Sequence, residues 1–176
     1  MENRKVLLLE VVGIFFIIFL GAAFHFTFAL SGNNSVVGAF SAVNESVWEH
    51  LKLPFWPSIL WLLLAMCPLR KIVSNFFSAK VIGISLMLVI IPAVFYAYTS
   101  FIEGIFLIDI ATFMVAVIIG QLVSIKLYNQ TRGSKLTELT ALAVIILLAV
   151  IFVTFTFYPP HMPIFLDSST GQYGIP

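Results

Sequence analysis

The chain has 176 residues, 61% of them hydrophobic and 10% charged, with a net charge of +1 and a mean hydropathy of +1.09. Too few polar side chains are present to cover a water-soluble globule, so the composition excludes an ordinary soluble domain and calls for lipid as solvent. The basic residues form no stripe interleaved with aromatics, which argues against a nucleic-acid partner, and a single cysteine, Cys67, excludes an intrachain disulfide.

Backbone amides cannot face hydrocarbon unpaired, so each apolar run of about 20 residues predicts a helix. The first runs from Val6 to Leu30 and ends at the turn-forming "SGNNS". Its length and the internal Glu10 favour a membrane span over a cleaved signal peptide. Residues 44–53 predict a short interfacial segment, followed by a second helix over Pro54 to Leu69. At 1.5 Å per residue that helix reaches roughly 24 Å, less than a hydrocarbon core of ~30 Å, so it either tilts little or continues from the Asn44 segment through a kink at Pro54. The third helix is Val81 to Tyr98, with Pro92 as a kink; the fourth is Gly104 to Ile125; the fifth is Leu136 to Phe157, stopped by Tyr158-Pro159-Pro160. The tail, 158–176, is too rich in proline and glycine for a long helix, yet Ile164, Phe165 and Leu166 are too apolar for solvent, so it should dock on the bundle. The expected fold is an all-α, polytopic membrane helical bundle of five helices, one integral membrane domain over 1–176, multi-pass in the cell membrane with lipid as its immediate partner. No internal repeat suggests a transporter of two matched halves.

Orientation follows from the basic residues. Arg4, Lys5, Arg70, Lys71, Lys80, Lys126, Arg132 and Lys135 fall on one side of the predicted spans, and of the nine basic residues only Lys52 falls on the other. The positive-inside rule makes the first side cytoplasmic, with the N-terminus inside and the C-terminus outside.

The remaining polar residues then gather at the outer face. His25 lies near the outer end of the first helix, Asn44, Glu45, Glu49, His50 and Lys52 in the first outer loop, Asp109 in the fourth helix, and His161 and Asp167 in the tail. An ionisable group in lipid costs at least ~2.5 kcal/mol, so His25 and Asp109 are expected to face the interior and each other, as a structural ion pair or as a functional one. Ser46 and Glu49 match a capping box, a structural role that competes with any chemistry for Glu49; His50 has no such role. Ser46 and His50 also share a helix face, but no nucleophile elbow surrounds that serine.

A docked tail would bring His161 and Asp167 toward His50, Glu45 and His25, a donor set that suits zinc or a similar divalent metal. In that reading His25, His50 and His161 are metal ligands, Asp109 and Asp167 are ligands or orient a histidine, and Glu45 or Glu49 is the general base acting on a metal-bound water. The activity would be a metal-dependent hydrolase on a lipid or other amphiphile. The specific expectation is that Glu45, His50 and His161 converge beneath the tail. No HExxH, paired CxxC or histidine doublet is present, so such a site must be assembled from distant segments. The alternative is a non-enzymatic membrane protein: a small permease, a proton- or solute-binding protein, or a complex subunit. The inner half offers only Glu10, Ser85 and Gln121 to a permeation path, which favours a one-sided site.

The motifs "NESVWEHLKLPFWP", "YPPHMPIFLD" and "GQYGI" resemble those of an uncharacterised family of small bacterial and archaeal integral membrane proteins, defined only as a domain of unknown function. The resemblance covers essentially the whole chain and implies a multi-helix membrane protein. It brings no activity and no residue roles.

Overall fold

The computed structural model describes residues 2–128, 130 and 133–175, so Arg132, counted above among the basic residues, lies outside the described residues. The elements are α1 (Glu2–Leu30), α2 (Ser35–Gly38), α3 (Val47–Leu69), α4 (Phe76–Thr99), α5 (Phe106–Leu127) and α6 (Lys135–Phe157), with a 3₁₀ turn at Pro163–Phe165. Five of the helices are long and apolar enough to cross a membrane. Many large apolar side chains point outward, among them Phe15, Phe19, Val89 and Leu147. Such a surface is stable only against lipid or another apolar partner.

The helices alternate between two ends. The basic end holds the start of α1 and the connections α3–α4 and α5–α6; the tail end holds residues 31–46, the α4–α5 connection and the tail. Helix α4 packs most extensively on α5 and also on α3 and α6, while α1 packs on α3 and α5. The α4–α5 crossing is close because Gly83 faces Gly120: a Cβ on Gly120 would stand 2.6 Å from the Gly83 carbonyl oxygen. Beside it the Ser124 hydroxyl donates to the Ala79 carbonyl at 3.1 Å. Small residues and one hydroxyl bring two lipid-exposed helices together where the hydrophobic effect offers no drive.

Two boundaries differ from the sequence reading, each for a local reason. Helix α3 runs unbroken through Pro54 and Pro57, so residues 47–53 form its first two turns rather than a separate interfacial segment. Pro57 removes the amide that would bond the Leu53 carbonyl, and α1 packs its Gly21 against that carbonyl, where a Cβ would lie 2.5 Å from the oxygen. Helix α4 begins at Phe76, five positions before Val81. Its first amides are capped from another helix: the Glu138 carboxylate accepts from Phe77 N at 2.8 Å and from Ser78 N at 3.1 Å. A cap supplied 60 residues away leaves no local signal.

The tail docks as expected. Phe165 is buried with its ring 4.7 Å from that of Trp48 and 5.5 Å from that of Phe155. The Asn44 side-chain amide donates to the Gly174 carbonyl at 2.8 Å, tying the end of the chain to the start of α3.

A candidate metal centre at the tail end

The start of α3 is built by two adjacent side chains. Asn44 Oδ1 accepts from Ser46 N at 2.9 Å, and Ser46 Oγ accepts from Glu49 N at 3.3 Å, so Ser46 is the N-cap. Glu45 lies between the two, outside the helix, with its side chain free to turn toward α1. One turn into α3, His50 Nδ1 lies 2.8 Å from the Ser46 carbonyl oxygen. A carbonyl only accepts, so Nδ1 carries the proton and neutral His50 presents a lone pair at Nε2.

That lone pair faces His25 of α1. His50 Nε2 is 3.3 Å from His25 Nε2; Glu45 Oε2 is 3.4 Å from His50 Nε2 and 3.7 Å from His25 Nε2. A circle through three points so spaced has a radius of about 2.0 Å, the bond length of zinc to an imidazole nitrogen or a carboxylate oxygen. The ring centroids are 5.2 Å apart, the separation expected of two imidazoles aimed at one atom from about 2 Å at a near-tetrahedral angle. The three donor atoms lie close enough together to share one ion.

The electrostatics favour a cation there. With both histidines neutral, at most one of the three atoms, His25 Nε2, carries a proton, and it faces two acceptors, the His50 Nε2 lone pair and the carboxylate. When the two rings are protonated, hydrogen bonds from His25 and His50 hold the Glu45 carboxyl well below the usual carboxylate range. Its side chain is 52% exposed against 21% for His25 and 30% for His50, leaving one side of the cluster open to incoming water or substrate.

The other sequence candidates lie outside this triangle. Asp109 accepts from the Tyr98 hydroxyl at 2.6 Å, and so it does not form the expected pair with His25. Its negative charge still contributes to the field at His50. Glu49 is buried, its Oε2 accepting from Lys52 Nζ at 2.6 Å and from Val43 N at 3.0 Å; it does not complete a capping box, and it is spent as a base. Lys52, fully buried, also donates to the Gly38 carbonyl at 2.9 Å, pinning the 31–46 loop beneath the site. His161 is exposed and packs edge-on against Tyr173, away from the expected convergence with His50 and Glu45, because the tail docks through Phe165 and Gly174 instead. Asp167 shapes the tail's turn: it accepts from Ser169 N at 2.8 Å and from the Thr170 hydroxyl at 2.8 Å, bonds that outweigh its burial and hold its carboxyl below the usual range. Among the described residues, His25, Glu45 and His50 are the one group of three or more such side chains close enough to share an ion.

A second polar cluster, not anticipated in full from the sequence, lies at the basic end. Glu10 Oε2 accepts from Lys80 Nζ at 2.6 Å, Trp61 Nε1 at 3.2 Å and Gln121 Nε2 at 3.3 Å, while its Oε1 accepts from the Tyr128 hydroxyl at 2.6 Å. Lys80 also donates to Gln121 Oε1 at 3.0 Å. All five residues are buried, so Lys80, assigned by sequence to a solvated loop, is an internal ion-pair partner.

A model of a family of unknown function, DUF6512, matches residues 2–175 of the chain. No curated protein and no solved structure matches it.

Proposed function

The chain belongs to the DUF6512 family, whose function is unknown, and we propose from its own side chains that it is a multi-pass protein of the cell membrane holding a zinc-class divalent metal at its outer face and using it to hydrolyse a lipid or other amphiphile. The observation that carries this reading is the triangle of His25 Nε2, His50 Nε2 and Glu45 Oε2, with sides of 3.3, 3.4 and 3.7 Å. The rival occupant is a proton. Charge-assisted hydrogen bonds draw their heavy atoms to about 2.7–2.9 Å, whereas ligands sharing a zinc ion stand about 3.3–3.4 Å apart; two of the three sides, 3.3 and 3.4 Å, have the latter spacing and the third, 3.7 Å, is longer than both, which supports the metal over the proton.

Two histidines and one carboxylate are a donor set of catalytic zinc, because three protein ligands leave a position for water. The Ser46 carbonyl on His50 Nδ1 is the outer-shell contact that fixes the tautomer a ligand needs. A metal held here by His25, His50 and Glu45 would lower the pKa of bound water to about 7 and would polarise a carbonyl or phosphoryl oxygen. With Glu49 committed to Lys52, Asp109, held by the Tyr98 hydroxyl, is the remaining carboxylate whose charge reaches His50, and it would add negative charge beside a bound cation. The membrane setting makes an amphiphile the natural substrate: its cleavable bond can lie at the headgroup level while its apolar part stays in lipid.

Permeation fits less well. A path would have to join the tail-end cluster to Glu10, and the levels between them are filled by Ile17, Phe55, Met87 and Val117, all buried and apolar. The test is elemental analysis and cobalt spectroscopy on protein purified in mild detergent without chelator. One metal per chain is expected, with tetrahedral-type cobalt bands, lost in His25→Ala and His50→Ala and retained in His161→Ala. Absence of stoichiometric metal, or equal binding by His50→Ala, refutes the site; a metal-loaded protein that cleaves no ester or phosphoester of lipid headgroups refutes the hydrolase alone.

A further inference from the structure

Helices α3 and α6 meet toward the tail end, where Trp48 and Phe55 stack on Phe152, with ring centroids 4.8 and 4.5 Å apart. Toward the basic end they part, and a groove of about 570 Å³ opens between them. Its composition is graded along its length. The part nearer the bundle middle is lined by Leu62, Leu63, Met66, Leu139 and Leu142; the mouth holds Arg70, Ser74, Ser134, Lys135 and Glu138.

The charges at the mouth do not cancel. The Glu138 carboxylate is occupied by the start of α4, accepting from Phe77 N, Ser78 N and the Ser78 hydroxyl at 2.8, 3.1 and 2.5 Å. Arg70 lies over the Phe77 ring, 5.4 Å from its centroid, at the edge of the groove. Among the described residues, neither Arg70 nor Lys135 has a carboxylate within ion-pair distance. Two cations without an ion-pair partner among the described residues, against the one carboxylate of Glu138, therefore stand at one end of an apolar trough that faces the membrane.

We propose that this groove seats one anionic phospholipid from the leaflet at the basic end, with its phosphate between Arg70 and Lys135 and an acyl chain along Leu62, Met66 and Leu139. The charge of the mouth selects the sign of the headgroup, and the apolar trough selects an acyl chain over a polar loop. Arginine supplies a planar pair of donors to phosphate oxygens and stays charged in any setting, and its stacking on Phe77 orients it toward the groove. A second copy of this chain would have to bring a carboxylate to the same mouth, whereas the lipid brings phosphate to that depth by its own structure. This site lies at the opposite end from the metal centre and does not depend on it.

The experiment is thermal unfolding of the detergent-solubilised protein titrated with phosphatidylglycerol, with phosphatidylcholine and with inorganic phosphate, together with native mass spectrometry of the purified protein. Phosphatidylglycerol should raise Tm saturably, phosphatidylcholine should do so far less, and one anionic lipid should remain bound. The doubly substituted Arg70→Gln, Lys135→Gln protein should bind roughly 10–30-fold more weakly, from the loss of two cations near the headgroup. Leu139→Trp, which keeps both cations but fills the trough, should also lose the response. Equal stabilisation by phosphatidylcholine, an unchanged titration in the double variant, or full reproduction of the effect by inorganic phosphate would overturn the proposal. So would a dimer that lipid does not dissociate and whose formation Leu139→Trp abolishes, since a second copy would then own the groove.

Discussion

Removing Lys80 and removing Glu10 should not cost the same, although the two form a single ion pair at 2.6 Å inside the bundle. With Lys80→Met, the Glu10 carboxylate keeps three neutral donors: Tyr128 at 2.6 Å, Trp61 at 3.2 Å and Gln121 at 3.3 Å. With Glu10→Leu, the Lys80 ammonium keeps, among the described residues, only Gln121 Oε1 at 3.0 Å, and the Tyr128 hydroxyl, the Trp61 indole and the Gln121 amide group lose the acceptor they share. Breaking a buried pair costs about 3–5 kcal/mol, and each orphaned buried donor adds about 1–3 kcal/mol. The remaining donors put Lys80→Met near the lower bound, about 3 kcal/mol, while the three orphaned donors bring Glu10→Leu to about 5 kcal/mol or more. The double variant, left with no unpaired charge, should cost less than the sum by about 2 kcal/mol or more. Unfolding of the protein in mixed micelles of mild detergent and dodecyl sulfate measures all three. Equal costs for the two single variants, or additivity within about 0.5 kcal/mol, would show that the carboxylate is not the hub of the cluster.

The same reasoning applies to the second buried pair and to the tail. Lys52→Met should destabilise by about 3–4 kcal/mol, since Glu49 is left buried with only the Val43 amide, whereas Arg4→Met, at an exposed position, should be near neutral. Phe165→Ala should cost about 3 kcal/mol by emptying the space against Trp48, and should raise protease access to the tail before the bundle opens. Glu45 has its carboxyl pKa lowered from 4.5 by its hydrogen bonds to His25 and His50. A depressed acid contributes stability that is present above its unfolded value and fades as pH falls below it, so the metal-free protein should lose Tm below about pH 4.5 relative to Glu45→Gln. The half-exposed position keeps that loss small. A topology reporter fused after the tail should be active only outside the cytoplasm and one inserted at Gly133 only inside; the reverse would place the His25, Glu45 and His50 cluster on the cytoplasmic face.

The helices were legible because hydrocarbon imposes one rule on every residue of a span: an apolar run of sufficient length must be helical. What the runs could not show is where polar groups inside or beside them find partners. Lys80 reads as one more residue of a basic loop, and only the arrival of Glu10 from a helix 70 positions away makes it internal. The early start of α4 depends on Glu138 in the same manner. Lys52 did leave a trace. It was the lone basic residue on the outer side, an exception to the charge bias that pointed to a partner, and Glu49 stands three positions before it.

The acids of the outer motif show why the candidate site was only partly readable. Glu45 and Glu49 are four apart, a spacing that suggests a shared helix face. The face does not exist, because Ser46 caps the helix between them and frees Glu45 from helical periodicity. Glu49, inside the helix, turns to Lys52; Glu45, outside it, turns to α1 and meets His25. Asp109 and Asp167 each find a local partner as well, in Tyr98 and in Ser169 with Thr170, while His161 packs its ring on Tyr173 away from the cluster. Sequence composition gives all of these groups equal standing as ligands. Partnership within the fold separates them: a group whose lone pairs are already committed to a neighbour is poorly placed to bind an ion. His25 Nε2, His50 Nε2 and Glu45 Oε2 have chiefly one another, which leaves them, among the described residues, as the group close enough to share an ion.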